Sequence, residues 1–293
     1  MKAYRGVDNN IRLFRPDMNM NRMIRTAVRS SLPTFDPEEL IKCMSELIKL
    51  DQEWVPVNKD GQTNALYIRP TMIGTEGALG VSSAKESMLF VITSPVGAYF
   101  DSAKIQPVKL WANPDFVRAW PGGCGDKKMG SNYGPTIQVQ AEASRLGYHQ
   151  VLWLYGEDHQ VTEVGVMNFF LVKKGKDGKK LLITPPLEQG LILPGVTRDS
   201  IISMTKEWDD VQVIERTIDM KEIIDSLQAG SIIEAFSAGT AAIVSPVGLI
   251  HFKGQDLSFP EVNENSLSQR IFRSLNDIYY GKVSPHKWTR KVC

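Results

Sequence analysis

Residues 122–135 read Gly-Gly-Cys-Gly-Asp-Lys-Lys-Met-Gly-Ser-Asn-Tyr-Gly-Pro, with five glycines, two adjacent lysines and a tyrosine. Glycine gives up more backbone freedom on ordering than any other residue, so no helix or strand is expected to run through this stretch. It is a loop, and the rest of the chain must be arranged around it. A helical pattern begins directly behind it, at Pro135. A lysine held in such a loop can clamp a phosphate, attack a carbonyl or sit in water as an ordinary charge. A plain surface turn stays open on spacing alone. A phosphate loop needs Gly-Lys-Ser/Thr, but Lys127 follows Asp126 and precedes Lys128. A dinucleotide fingerprint needs glycine three after Gly125, where Lys128 stands. The chemistry left to the loop is a lysine for carbonyl groups.

The totals narrow the partners. A chain of 293 residues is one large domain or two ordinary ones, and 42% apolar with 23% charged residues supplies a real core. A net charge of +1 gives no electrostatic footprint for nucleic acid or an acidic membrane. No apolar run approaches the roughly 20 residues of a membrane helix. Cys43, Cys124 and Cys293 form no CxxC and no zinc spacing, which suits a reducing compartment. Met1 to Arg5 has no apolar core of signal-peptide length and reads as the middle of a strand.

Along the chain, Lys2 to Arg5 and Ile11 to Phe14 read as a hairpin, and Asn19 to Ser30 as a helix with Met20, Met23, Ile24 and Ala27 on one stripe. Its arginines lie off that stripe; for Arg22, anion binding stands beside the plainer solvated-face reading. Asp36-Pro37-Glu38-Glu39 starts a helix by its cap chemistry. Strands are expected at Leu66 to Ile68, Met88 to Ile92, Val151 to Tyr155, Val164 to Val172, Leu181 to Ile183, Val211 to Glu215, Ile232 to Phe236 and Ala241 to Val244. Further helices are expected at Pro135 to Leu146, Gly195 to Trp208, Asp219 to Leu227 and Glu264 to Tyr280. The mixture is α/β of the α+β kind, because tight turns between strands argue against a purely parallel sheet. The expected domains are a small one over 1–97, a linker over 98–107 and a large one over 108–293.

His149, His159, His251 and His286 are isolated in sequence, so no metal site is expected. Ala235-Phe236-Ser237-Ala238-Gly239 misses the hydrolase elbow, with alanine at the first glycine position. Glu163 opens a largely apolar strand, where an unpaired carboxylate is costly to bury. It either reaches solvent or partners a cationic ligand atom. Gly195-Val196-Thr197 opens a helix whose free N–H groups suit an anion, although most helix starts meet only a side chain or water and this one alone decides nothing. Lysine, carboxylate, phenol and helix start together sketch a site for pyridoxal phosphate.

Gly125-Asp126-Lys127-Lys128-Met129-Gly130-Ser131-Asn132-Tyr133-Gly134-Pro135 resembles the cofactor-lysine signature of the branched-chain amino acid aminotransferases. Val151-Leu152-Trp153-Leu154-Tyr155-Gly156, Thr162-Glu163-Val164-Gly165, Leu193-Pro194-Gly195-Val196-Thr197-Arg198 and Ser237-Ala238-Gly239-Thr240-Ala241 follow in that family's order. The resemblance runs from Met1 almost to Trp288 and is nearest to eukaryotic members. It implies a fold-type IV enzyme, with a small N-terminal α/β domain and a larger C-terminal domain of mixed, largely antiparallel sheet. It implies that Lys128 binds pyridoxal 5′-phosphate covalently, while Lys127 fills a position that varies in kind. Tyr133 would meet the cofactor's phenolic oxygen, Glu163 its pyridine nitrogen, and Val196, Thr197, Arg22 and Thr240 its phosphate. Tyr67 and the N–H groups of Thr240 and Ala241 would meet the substrate carboxylate, and Arg69 the second carboxylate of glutamate. Leu79 and Val81 would line the partner's pocket in a homodimer.

The implied activity is ping-pong transfer of the amino group of leucine, isoleucine or valine to 2-oxoglutarate, with neither nucleic acid nor membrane as partner. A redox CxxC found in some mammalian relatives is absent after Thr240-Ala241, where Ala242-Ile243-Val244-Ser245 stands. Family members carry several dozen residues before the Met1-Lys2-Ala3 match, so an N-terminally incomplete small domain is expected, and the compartment is cytoplasmic or mitochondrial. The alternatives are another fold-type IV reaction, or a non-catalytic truncated isoform that pairs with full-length subunits.

Overall fold

A computed structural model describes residues 1–58, 62–97 and 107–293. The chain divides into two compact units, Met1–Ala103 with Arg273–Cys293, and Lys104–Phe272.

In the first unit β1 (Lys2–Arg5) and β2 (Ile11–Phe14) form the expected antiparallel hairpin. Asn9 takes the left-handed conformation (φ 61°) in its turn, which asparagine tolerates better than most residues. Helix α1 (Pro16–Arg29) has proline in its first turn, where the missing N–H loses no helical bond. Helix α2 (Pro37–Leu50) starts as its sequence dictates: the Asp36 carboxylate accepts from the N–H groups of Glu38 (2.8 Å) and Glu39 (3.1 Å). Its buried stripe, Leu40, Ile41, Met44 and Ile48, packs on Ala3, Ile11, Leu13, Leu66 and Ile68 of the sheet. Each such side chain contributes roughly 1.5–3 kcal/mol by leaving water, so a charge at Ile41 would break the packing. Strands β3 (Ala65–Gly74) and β4 (Ser87–Val96) continue the sheet as a ten-residue antiparallel ladder.

The second unit begins with β5 (Val108–Ala112) and α3 (Thr136–Arg145). Strands β6 (Gln150–Tyr155), β7 (Gln160–Val164), β8 (Met167–Lys174) and β9 (Lys180–Thr184) follow. Then come α4 (Val196–Thr205), β10 (Val211–Glu215), α5 (Met220–Gln228), β11 (Ile232–Gly239), β12 (Ile243–Phe252), β13 (Gln255–Ser258) and α6 (Leu267–Tyr279). The sheet runs β10-β9-β8-β11-β12-β5-β6-β7, with β13 on β12, and β7 also pairs back to β8. Six strands, β8, β11, β12, β5, β6 and β7, therefore close on themselves. The β9–β10, β12–β5 and β5–β6 pairs are parallel and the others antiparallel, the mixed, largely antiparallel sheet expected. Phe170 and Phe236 stack at 4.9 Å in its core.

Three expectations need correction. Val164 to Val172 is not one strand: Gly165, at φ 55°, turns the chain between β7 and β8. The left-handed φ favours glycine, and a Cβ there would stand 2.0 Å from Gln150 Oε1, so that side chain would have to move. Glu163 consequently lies near the end of β7, not at the start of a long strand. Residues 237–239 belong to β11 and do not form a connection between strands. Finally, the large domain does not run to 293. Residues Arg273–Cys293 join the first unit, where β14 (Thr289–Lys291) pairs with β2 and completes the order β14-β2-β1-β3-β4. Tyr279 explains why: it stacks on Tyr4 at 4.6 Å and meets Phe14 edge-on. Apart from Pro107, the expected linker lies outside the described residues.

Candidate active site

The glycine-rich loop is held tightly by its own sequence. A Cβ on Gly125 would meet Ala119 Cβ at 2.4 Å, so the backbone fits there only without a side chain. Asn132 closes the loop, its Nδ2 donating to the carbonyls of Cys124 and Lys127, each at 2.7 Å. These contacts send the two lysines to different partners. Lys127 Nζ pairs with Asp126 next to it. Lys128 Nζ donates to Tyr133 Oη at 2.8 Å and lies 4.9 Å from the centre of that ring.

Glu163 is buried, and its environment is built for a charge. Oε1 accepts from Asn168 Nδ2 (3.1 Å) and the Leu193 N–H (2.9 Å), while Oε2 faces Arg118 Nη2 at 3.1 Å. Burial pushes the carboxyl above its ordinary value. The Arg118 guanidinium pulls it back down, followed by the Leu193 N–H and the charges of Lys128 and Arg198. Arg118 also donates to Leu191 O (2.6 Å) and Gly125 O (3.3 Å), so one side chain ties the acid to the lysine loop. Among the described residues, its buried Nε meets no hydrogen-bond partner.

Asn168 reaches further. Its Nδ2 also donates to Leu193 O at 2.9 Å, and a Cβ on Gly195 would stand 2.1 Å from its Oδ1. The start of α4 is thus fixed beside the Glu163 bracket, with Val196 and Thr197 buried in its first turn. Arg198 is turned away, donating to Pro185 O (2.7 Å) and Glu215 (2.8 Å). Thr240 and Ala241, both half-buried, lie in the short turn between β11 and β12.

In the first unit, Arg22 lies half-buried on α1 with Nη2 3.3 Å from Asn19 Oδ1. Tyr67 and Arg69 share a face of β3, the guanidinium 5.2 Å from the ring centre. Leu79 and Val81 are fully exposed in the segment between β3 and β4. Among the described residues, no three His, Cys, Asp or Glu side chains gather as a metal site. Ser237 is buried inside β11, and its hydroxyl meets Met167 Sδ (3.7 Å) and Ser245 O (3.4 Å), which leaves no nucleophile elbow.

Sequence reasoning missed Arg118 and Asn168. Asn168 carried a signal, a polar residue facing Glu163 across the tight turn at Gly165. Arg118, between Val117 and Ala119, carried none.

This donor set fits pyridoxal phosphate. A lysine beside a phenol serves its carbonyl and phenolic oxygen, a buried acid paired with an arginine its pyridine nitrogen, and a helix start its phosphate. The chain matches the family model for amino-transferase class IV over residues 1–250. It is 53% identical over 293 residues to the cytosolic branched-chain-amino-acid aminotransferase of Rattus norvegicus, covering all of this chain and 70% of that protein. It is 48% identical to the mitochondrial one of the same species, covering all of this chain and 73% of that protein. Among solved structures, the branched-chain aminotransferase of Thermoproteus uzoniensis with norvaline is similar, with a TM-score of 0.79 and 26% identity over 100% of this chain and 88% of that one. The PLP form of the Thermobaculum terrenum enzyme shares the fold, with a TM-score of 0.79 at 20% identity over 100% of this chain and 87% of that one.

Proposed function

The chain belongs to the class IV amino-transferase family, and from that premise we propose which of its side chains carry the transfer. The reaction is that of the branched-chain-amino-acid aminotransferases. An amino group leaves leucine, isoleucine or valine and is received by 2-oxoglutarate, giving a branched-chain 2-oxo acid and glutamate. Pyridoxal 5′-phosphate, when bound, supplies the electron sink and carries the amino group between the two half-reactions.

Lys128 Nζ would hold the cofactor's carbonyl carbon covalently, and its amine would serve as the base that takes the proton from the substrate Cα. Tyr133 Oη holds that amine in place through the 2.8 Å bond. Glu163, paired with Arg118 at 3.1 Å, would face the pyridine nitrogen and favour a proton on it. The N–H groups of Val196 and Thr197 meet the phosphate at the positive end of α4. Resemblance adds Arg22 and Thr240 to the phosphate, Tyr67 with the Thr240 and Ala241 N–H groups to the substrate carboxylate, and Arg69 to the second carboxylate of glutamate. A homodimer, proposed on the same basis, would cover the exposed Leu79 and Val81. Relatives named cytosolic and mitochondrial both match, which fits either compartment.

The observation that carries the assignment is the divergence of the two lysines, Lys127 to Asp126 and Lys128 to Tyr133. Borohydride reduction of the holoenzyme, followed by peptide mapping, should find the pyridoxyl adduct on Lys128. An adduct on Lys127 would overturn the assignment.

A further inference from the structure

The turn between β11 and β12 is closed by a residue that ought not to be there. Ile243 has φ 64°, a conformation in which a β-branched side chain is a genuine outlier. The Val244 N–H donates back to Ala242 O at 2.8 Å, so Ile243 is the centre of a γ-turn of the rare positive-φ kind. Glycine would take this shape without strain. The isoleucine is nevertheless buried, and so are Ala242 and Val244 on either side.

Strain of this sort persists only where the surroundings over-determine the backbone, and here they do. Gly239 pairs with Ile243 across the two strands, leaving Thr240, Ala241 and Ala242 as the whole connection. A Cβ on Gly239 would stand 3.1 Å from Met167 Cγ, so the other leg of the turn is pressed against β8. Its neighbour Ala238 pairs with Asn168, the residue that brackets Glu163. The β11 leg of the turn is therefore tied to the strand that holds Asn168, and the β12 leg is tied to that leg through the Gly239–Ile243 pair.

We infer that Ile243 is a positioning residue: its buried side chain holds the Thr240–Ala241 turn in a single strained conformation, ready for the substrate carboxylate. This rests on the reading that the turn receives that carboxylate. An anion bound by backbone N–H groups needs them fixed before it arrives, because ordering them afterwards subtracts from affinity. A glycine at 243 would keep the fold of the turn and lose its rigidity.

The test is calorimetric binding of 4-methylvalerate, the leucine skeleton without its amine, to the holoenzyme and to the Ile243→Gly and Ile243→Val variants. Ile243→Gly should weaken binding about tenfold, equivalent to about 1.4 kcal/mol and the scale of ordering one residue's backbone. KM for leucine and for 2-oxoglutarate should rise by the same factor, since both carry the carboxylate, with kcat little changed. Ile243→Val, still β-branched and buried, should bind within twofold of the parent. Unchanged binding in Ile243→Gly would overturn the inference. If that variant does not fold, hydrogen exchange of the parent decides. The Val244 amide, which closes the γ-turn on Ala242 O, should be as protected as those of β11 and β12, and exchange there as fast as in an unstructured peptide would overturn it. Because 4-methylvalerate binding needs no turnover, failure of the transaminase reading would show separately, as absent glutamate formation in the parent.

Discussion

Replacing Arg118 with methionine should do more damage than the loss of its own hydrogen bonds. Arg118 and Glu163 are both buried, 3.1 Å apart, and the guanidinium is the largest influence holding the carboxyl down against burial. Removing one partner of a buried ion pair destabilises by about 3–5 kcal/mol, because a desolvated charge is left without compensation. Arg118→Met should lie in that range at pH 7. The double variant Arg118→Met/Glu163→Gln should recover about 2 kcal/mol of it, since the amide oxygen still accepts from Asn168 and Leu193 and no buried charge remains. Urea unfolding of the four cofactor-free proteins measures the cycle.

The pH dependence has a definite sign. A carboxyl raised in the folded state binds its proton more tightly there. Its stabilising contribution is present below the ordinary value of 4.5 and is lost as pH rises through the folded value. Without Arg118 the folded value climbs further, so the deficit of Arg118→Met should be small in acid and grow towards neutral pH. Additive single effects, or a deficit that does not change with pH, would refute the reasoning.

Glu163→Gln should lower kcat about 100-fold or more, the scale of losing one preorganised electrostatic contact. Cofactor occupancy by absorbance should stay near full, because the phosphate contacts remain; near-normal turnover at full occupancy would remove Glu163 from its role. Leu79→Glu/Val81→Glu should convert a dimer to single chains in sedimentation and lower activity with it. An active parent that already sediments as one chain would exclude the homodimer.

Local rules carried much of the fold. Asp36 and Asp219 cap their helices because an acceptor three residues before a helical N–H has few better uses. The hairpin at Lys2 was readable from its period and its Asn-containing turn. What failed was decided elsewhere in the chain. Gly165 looks like any glycine until Gln150 takes the space its side chain would need. Residues 273–293 look like the end of a large domain until Tyr279 finds Tyr4. At the site, resemblance separated Lys128 from Lys127, whereas spacing could not. Their different partners depend on how Asn132 folds the loop back on itself. Arg118 was invisible because a buried arginine is recognised by what surrounds it, and its partners Glu163 and Leu191 lie far along the chain.

The pairing of β14 with β2 sets a clock on biosynthesis. A ribosome that has just made Phe14 must add the chain through Lys291 before the outer edge of the first sheet can be covered. At about 5–20 residues per second that interval is roughly 15–55 s. For all of it, β2 presents bare N–H and C=O groups, the template on which another nascent chain on the same message could pair. A strand made early is thus among the last to be finished.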